Sequence, residues 1–267
     1  MFARVESNEA STEYHKILPV DRMLEQTYRA EERHFWFRGF RRFVRPLLIQ
    51  ATAGRSRPRL LDCGCGTGAN LLFMREFGTP FGIDLTSRGL AFANHNGVER
   101  LARATVASLP FLSGVIDVAL SFDVLYCLDD DAERRAIAEM YRVLRPGGSL
   151  IVNAAALDML RGDHSVLVSE VRRYTRRGLA DKLSAAGFRI ERLTYTNASI
   201  FPVTAGVRGI QRLRGVKSDG GARGDFYVPP APINALFAGA LALEAALISA
   251  GINMPIGSSV LCLARKP

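Results

Sequence analysis

The chain has 267 residues, 48% of them hydrophobic and 23% charged, with four cysteines. This balance excludes a disordered chain, the length suffices for one large core with insertions, and four cysteines without metal-ligand spacing exclude a disulfide framework and predict no metal site. The net charge of +9 suits nucleic acid or an anionic surface, yet no basic run alternates with stacking aromatics, so no nucleic-acid partner is expected.

In chain order, helical stretches are predicted near Thr12 to Arg33 and Phe35 to Ala51. The opening stretch lacks the charged and apolar regions of a signal peptide, so a cytoplasmic location is expected. Strands follow near Arg59–Cys63, Pro80–Asp84, Leu101–Thr105, Val115–Phe122 and Ser149–Ala155, separated by helical segments. That alternation calls for an α/β fold, a doubly wound parallel sheet with helices on both faces. Asp130 with Glu133 reads as the capping box of the helix before the fifth strand, and Pro146-Gly147-Gly148 as its stop. A helix is predicted from Thr175 to Ala186, a strand over Phe188–Thr196 and a last strand over Ser259–Ala264. Between those two strands, Lys217 to Pro232 reads as a loop and Ile233 to Ala250 as a helix. Ile233, Leu236, Phe237, Leu241, Leu247 and Ile248 fall at helical spacing on one predicted apolar face, and Glu244 falls on the same face.

The stretch Leu60-Leu61-Asp62-Cys63-Gly64-Cys65-Gly66-Thr67-Gly68-Ala69-Asn70 carries the most information. A strand runs into an acid and three alternating glycines, the pattern of a nucleotide-type cofactor loop, because glycines let the backbone turn sharply and let a ligand reach main-chain N–H groups. Gly64-x-Gly66-x-x-Ala69 also satisfies the dinucleotide fingerprint. Asp62 separates the two: a carboxylate there neutralises a cationic ligand such as S-adenosylmethionine and repels a diphosphate. Asp84, at the end of the second strand, stands where an acceptor for ribose hydroxyls is expected.

Further on come Ser108-Leu109-Pro110-Phe111, an apolar run ending at Asp123, and Arg142-Val143-Leu144-Arg145-Pro146-Gly147-Gly148. Together, over roughly Arg59 to Asn153, these segments resemble the class I S-adenosylmethionine-dependent methyltransferases. His34-Phe35-Trp36-Phe37-Arg38 and Arg172-Arg173-Tyr174-Thr175 resemble a subgroup, found among natural-product and cell-surface-sugar pathways, with an apolar C-terminal insertion. The resemblance implies a Rossmann-like sheet, mostly parallel with an antiparallel last strand, N-terminal helices, and S-adenosyl-L-methionine as cofactor. It divides the chain into an N-terminal helical cap (1–57), a cofactor-binding core (58–197), a helical insertion (198–257) and the last core strand (258–267).

By the same resemblance, Gly64, Gly66 and Gly68 shape the turn around the amino acid end of the cofactor, with Asp62 near its ammonium and Asp84 and Leu85 at the ribose and adenine. Thr105 stands where an Asp often meets the adenine amine, with Val106 and Ala107 beside it. Arg38 is the candidate for the cofactor carboxylate, since Phe40 occupies the place where the subgroup has a further arginine. Asp123 and Tyr126 lie just beyond the fourth strand, where ligands bind in open α/β sheets. His164, with a pKa near neutrality when unperturbed, is the expected proton acceptor, with His34, Asp123 and Tyr126 as further candidates. The acceptor is expected to be a small molecule, methylated on oxygen or nitrogen. The helix over 233–250 is expected to form the pocket wall or lid, with a peripheral membrane contact or a homodimer through the same face as alternatives. Glu244 is expected to pair with an N-terminal arginine or hold the acceptor. A non-catalytic methyltransferase-like binding protein is the alternative reading, ahead of an NAD-dependent oxidoreductase or an RNA methyltransferase.

Overall fold

The expected alternation is realised in the computed structural model, which describes residues 23–215 and 227–267. Helix α1 (Phe35–Thr52) leads into β1 (Arg59–Cys63), α2 (Ala69–Met74), β2 (Thr79–Asp84), α3 (Ser87–His95) and β3 (Leu101–Arg103). Then come β4 (Ile116–Phe122), α4 (Asp130–Val143), β5 (Leu144–Ala155), α5 (Asp163–Leu167), α6 (Arg176–Ala185) and β6 (Arg189–Thr196). Two insertion helices, α7 (Phe201–Leu213) and α8 (Ala231–Ser249), precede β7 (Ser259–Arg265).

The strands form one sheet in the order β3-β2-β1-β4-β5-β7-β6. Neighbours from β3 through β5 are parallel, and β7 runs antiparallel between β5 and β6. The mostly parallel doubly wound sheet with an antiparallel last strand is therefore as expected. Every residue of β4 is buried, as continuous apolar strands are when helices cover both faces. The order reverses between β1 and β4, and at such a switch point the carboxyl ends of the strands open a crevice for ligand.

Several local expectations are corrected. Among the described residues before α1, only 23–30 are helical and 31–33 form a turn, while 12–22 of the predicted 12–33 helix lie outside the described residues. Helix α4 is capped by Asp129, whose side chain accepts from Ala132 N at 2.8 Å, not by Asp130. Glu133 is buried and accepts instead from Tyr174 Oη (2.5 Å) and Lys182 Nζ (2.7 Å), with Arg172 also bonded to it. The Arg145-Pro146-Gly147-Gly148 segment lies inside β5, which starts at Leu144; Gly147, at φ 71°, gives its N–H to Lys266. Helix α7 was not expected, and the predicted 217–232 loop falls mostly outside the described residues.

Helix α8 docks on α1. Phe237 packs on Phe35 with ring centroids 5.0 Å apart, and Asn234 accepts from Phe35 N at 2.9 Å. Leu241, Glu244 and Ile248 are buried as expected, but Ile233, Leu236 and Leu247 are exposed. The helix is apolar on every side, so periodicity alone did not say which side the core takes. By length and composition α8 is apolar enough to cross a membrane, yet its buried side is committed to α1.

Candidate functional site

The glycine turn joins β1 to α2. Gly64, Gly66 and Gly68 have φ of 94°, 50° and 82°, the left-handed region that glycine enters without steric cost. A Cβ at Gly64 would stand 2.3 Å from Val124 Cγ2, and one at Gly68 2.7 Å from Ala93 Cβ. The turn is therefore closed to any larger residue at those two places.

Inside this turn Asp62 is 1% exposed, and neither carboxylate oxygen has a hydrogen-bond partner among the described residues. Burial, with the charge of Asp84 adding to it, raises its pKa to about 7. An unpaired buried carboxylate is costly, so the site fits a cationic ligand. Asp84 is occupied differently. Its Oδ2 accepts from Gly66 N (2.8 Å), and Oδ1 accepts from Thr86 N (2.8 Å) and Thr86 Oγ1 (2.6 Å). It braces the glycine turn and keeps about one of a carboxylate's four acceptor positions open.

Leu85 is 47% exposed beside Asp84, and its carbonyl accepts from Arg103 Nε. β3 ends at Arg103, short of the expected Thr105, whose hydroxyl accepts from Ala107 N at 3.3 Å; Val106 is buried. The segment after it is pinned by α4. Glu139 accepts from Leu109 N (2.7 Å), while Arg142 donates to the carbonyls of Leu109 (3.1 Å) and Phe111 (2.9 Å). These bonds tie the Leu109-Pro110-Phe111 segment to α4.

At the end of β4, Asp123 adopts φ 59°, a conformation uncommon outside glycine and one that clusters at functional sites. Asn153 of β5 donates to both its oxygens (3.1 and 3.2 Å). Burial raises the Asp123 pKa to about 7; Asn153 and the Arg173 charge oppose this and Glu170 adds to it. Tyr126, buried nearby, is pushed well above the usual phenol range by burial first and the Asp123 charge second. Sequence reasoning missed Glu170 and did not place Arg173 here. Arg173 donates to Glu170 (2.8 Å), Ser165 Oγ (3.2 Å) and the Ala156 carbonyl (3.2 Å). Ser165 follows His164, which is half-buried, on α5, so the network anchors the helix that carries His164. The Arg172-Arg173-Tyr174-Thr175 segment was the available signal.

The aromatic element serves two ends. His34 is buried and caps α1, its Nδ1 accepting from Trp36 N at 3.2 Å, which corrects its candidacy as a base. Trp36 stacks on Phe40 (5.6 Å, 7°), and Phe40 meets Phe122 edge-on at 4.9 Å, so an apolar wall reaches the residue before Asp123. Arg38 lies on the exposed flank of α1. Arg41, one turn on, faces inward; burial and the charges of Glu31 and Glu32 act on it in opposite directions. A cavity of about 630 Å³ lies between α1 and α2, lined among others by Glu31, Arg41, Arg42, Arg45 and Phe73.

Residues 61–152 match the family described as a methyltransferase domain. Malonyl-[acyl-carrier protein] O-methyltransferase of Enterobacter lignolyticus is 32% identical over 116 residues, covering 42% of this chain and 45% of that protein. The chain spans about half the length of the curated relatives it matches. Among solved structures, an S-adenosylmethionine-dependent methyltransferase of Thermotoga maritima superposes with a TM-score of 0.58 at 20% identity, covering 95% of this chain and 100% of that one. Geranyl diphosphate C-methyltransferase of Streptomyces coelicolor, solved with S-adenosyl-L-homocysteine, gives 0.54 at 13% identity, covering 84% and 77%. Residues 61–152 are a methyltransferase domain. The sheet that carries them has the Rossmann-like fold of the class I S-adenosylmethionine-dependent methyltransferases.

Proposed function

We propose that the protein transfers a methyl group from S-adenosylmethionine to an oxygen or nitrogen of a small-molecule acceptor, a secondary metabolite, a sugar or a lipid-linked sugar. The observation that carries this reading is the unpartnered Asp62 carboxylate beneath a turn closed by Gly64 and Gly68. It favours a cation and disfavours a diphosphate, which sets the NAD-dependent alternative aside. The relatives named malonyl-[acyl-carrier protein] O-methyltransferase support oxygen over nitrogen.

S-adenosylmethionine, when bound, supplies a methyl group already activated by the sulfonium. Asp62 faces the ammonium, the open acceptor position of Asp84 takes a ribose hydroxyl, and Leu85 with Thr105, Val106 and Ala107 encloses the adenine. Arg41 is better placed than Arg38 for the carboxylate, because Arg38 lies on the exposed side of α1. Asp123 and the wall of Phe122, Phe40 and Trp36 exclude water from the reacting end. His164 takes the acceptor's proton, and Tyr126 orients the acceptor oxygen. The four cysteines are free thiols, in keeping with the cytoplasm.

Calorimetric titration with S-adenosylmethionine, S-adenosylhomocysteine and NADH tests the cofactor, with binding of the first two and not the third expected. Turnover assays with hydroxyl and amine acceptors test the reaction. Tight cofactor binding without turnover on any acceptor would favour the non-catalytic alternative.

A further inference from the structure

Helix α7 is amphipathic with its faces reversed. Val203, Val207, Ile210 and Leu213 recur at helical spacing and are 47–89% exposed. Arg208, by contrast, is buried and donates to Gln211 at 2.8 Å, while the exposed Arg212 donates to the carbonyls of Arg161 (3.4 Å) and Asp158 (3.3 Å). A surface helix ordinarily gives its apolar stripe to the core. Helix α8 shows a second outward stripe, with Leu236 69%, Leu243 67% and Leu247 39% exposed, while Leu241 and Ile248 are buried. The two helices are joined by Glu244, whose carboxylate accepts from Ala198 N (3.0 Å) and Ser199 N (2.9 Å) just ahead of α7.

Charge decides what covers these stripes. Glu244 is the one acidic residue in either helix, and it is buried and occupied. Around the helices, Arg42 donates to the Ala238 carbonyl (3.3 Å) and Arg192 to those of Ile248 (2.6 Å) and Ile252 (3.1 Å). With Arg212, three guanidiniums border the helices, held by main-chain carbonyls and, for Arg192, the Asn253 side chain, with no ion pair to any of them among the described residues. Exposed aliphatic side chains bordered by such arginines match an anionic lipid surface, where the aliphatics enter the acyl boundary and the guanidiniums meet phosphates. A second copy would bring the same positive border and be repelled. The stripes are Val, Ile and Leu, whereas the hot spots of protein interfaces favour Trp, Tyr and Arg.

We infer that α7 and α8 seat the protein on the surface of an anionic bilayer, lying on it and not crossing it. Thirteen residues of α7 are too few to span, and α8 has one side committed to α1. The contact needs no turnover, so its failure is distinct from failure of the methyl-transfer reading.

The test is flotation of the full chain with vesicles of phosphatidylcholine alone or mixed with phosphatidylglycerol. Partitioning onto the anionic vesicles is expected, weakened by high salt and at least roughly tenfold lower on neutral ones. Val207→Asp with Ile210→Asp, and separately Leu243→Asp, should each lower it about tenfold or more. Arg42→Gln and Arg192→Gln should each lower it about fivefold. S-adenosylhomocysteine affinity and Tm report that these variants remain folded, and all five substitutions lie on exposed or edge positions. Absence of partitioning, or equal partitioning by the folded apolar variants, overturns the inference. So does a dimer in sedimentation equilibrium that Val207→Asp dissociates without any vesicle binding, which would assign the face to a second copy.

Discussion

Thr67, in the middle of the glycine turn, donates its hydroxyl to Glu31 Oε2 at 2.6 Å, which ties that turn to the segment ahead of α1. Both residues are buried. Burial lifts the Glu31 pKa to about 7 against the opposing pull of Thr67 and Arg41. Thr67→Val removes the donor and leaves a buried acceptor unmet, a loss of about 1–3 kcal/mol. Calorimetry should show a Tm lowered by several degrees and weaker S-adenosylhomocysteine binding; an unchanged Tm would show that the bond does not hold the cap.

Asp84→Ala removes both the brace on Gly66 and the open acceptor. Cofactor binding should weaken by about 1.5–3 kcal/mol, the range for hydrogen bonds to a charged group. Titration curves that overlay those of the unaltered protein would take Asp84 out of the site.

The free protein should lose stability as the pH rises. Asp62 has a folded-state pKa of about 7 against an ordinary 3.8, so the folded chain holds its proton more tightly than the unfolded one. Its contribution is fully present below about pH 4 and is lost as the pH climbs through about 7. Glu31 and Asp123, also raised to about 7, act in the same direction. A cation binds the ionised form, so S-adenosylmethionine affinity should rise across the same window. Asp62→Asn should flatten both trends in melting and titration series run from acid to mildly alkaline pH.

His164→Ala should lower turnover by about 10²–10⁴-fold, the usual worth of a general base, with cofactor affinity nearly intact. Stopped or continuous assays with the productive acceptor measure it. Full turnover by the variant would leave His164 a structural residue of α5.

Gly39→Val should open the junction of α1 and α8. A Cβ at Gly39 would lie 2.5 Å from Leu241 Cδ1 and 2.9 Å from Leu241 Cβ. Replacing a glycine in an open helix with alanine gains up to about 1 kcal/mol, whereas overpacking here should cost about 1–3 kcal/mol. Denaturant unfolding distinguishes the two by sign.

The sequence by itself determined the sheet and the glycine turn. Each central strand is a short apolar run, and the acid and glycines that shape the turn are neighbours in the chain, so their chemistry is local. Asp62, Gly64, Gly66, Gly68 and Asp84 were legible for that reason. Tertiary structure decided what depends on partners far apart in sequence. Glu244 proved to hold the N–H groups ahead of α7, Glu133 to anchor Arg172 and Tyr174, and Arg41, not Arg38, to face inward. It also decided which sides of α7 and α8 meet the core. In α7 the stripe is periodic but its direction reversed, and in α8 every side is apolar. Periodicity specifies a face, but only the packing of α8 against α1, and of α7 beside Asp158 and Arg161, specifies which way that face points.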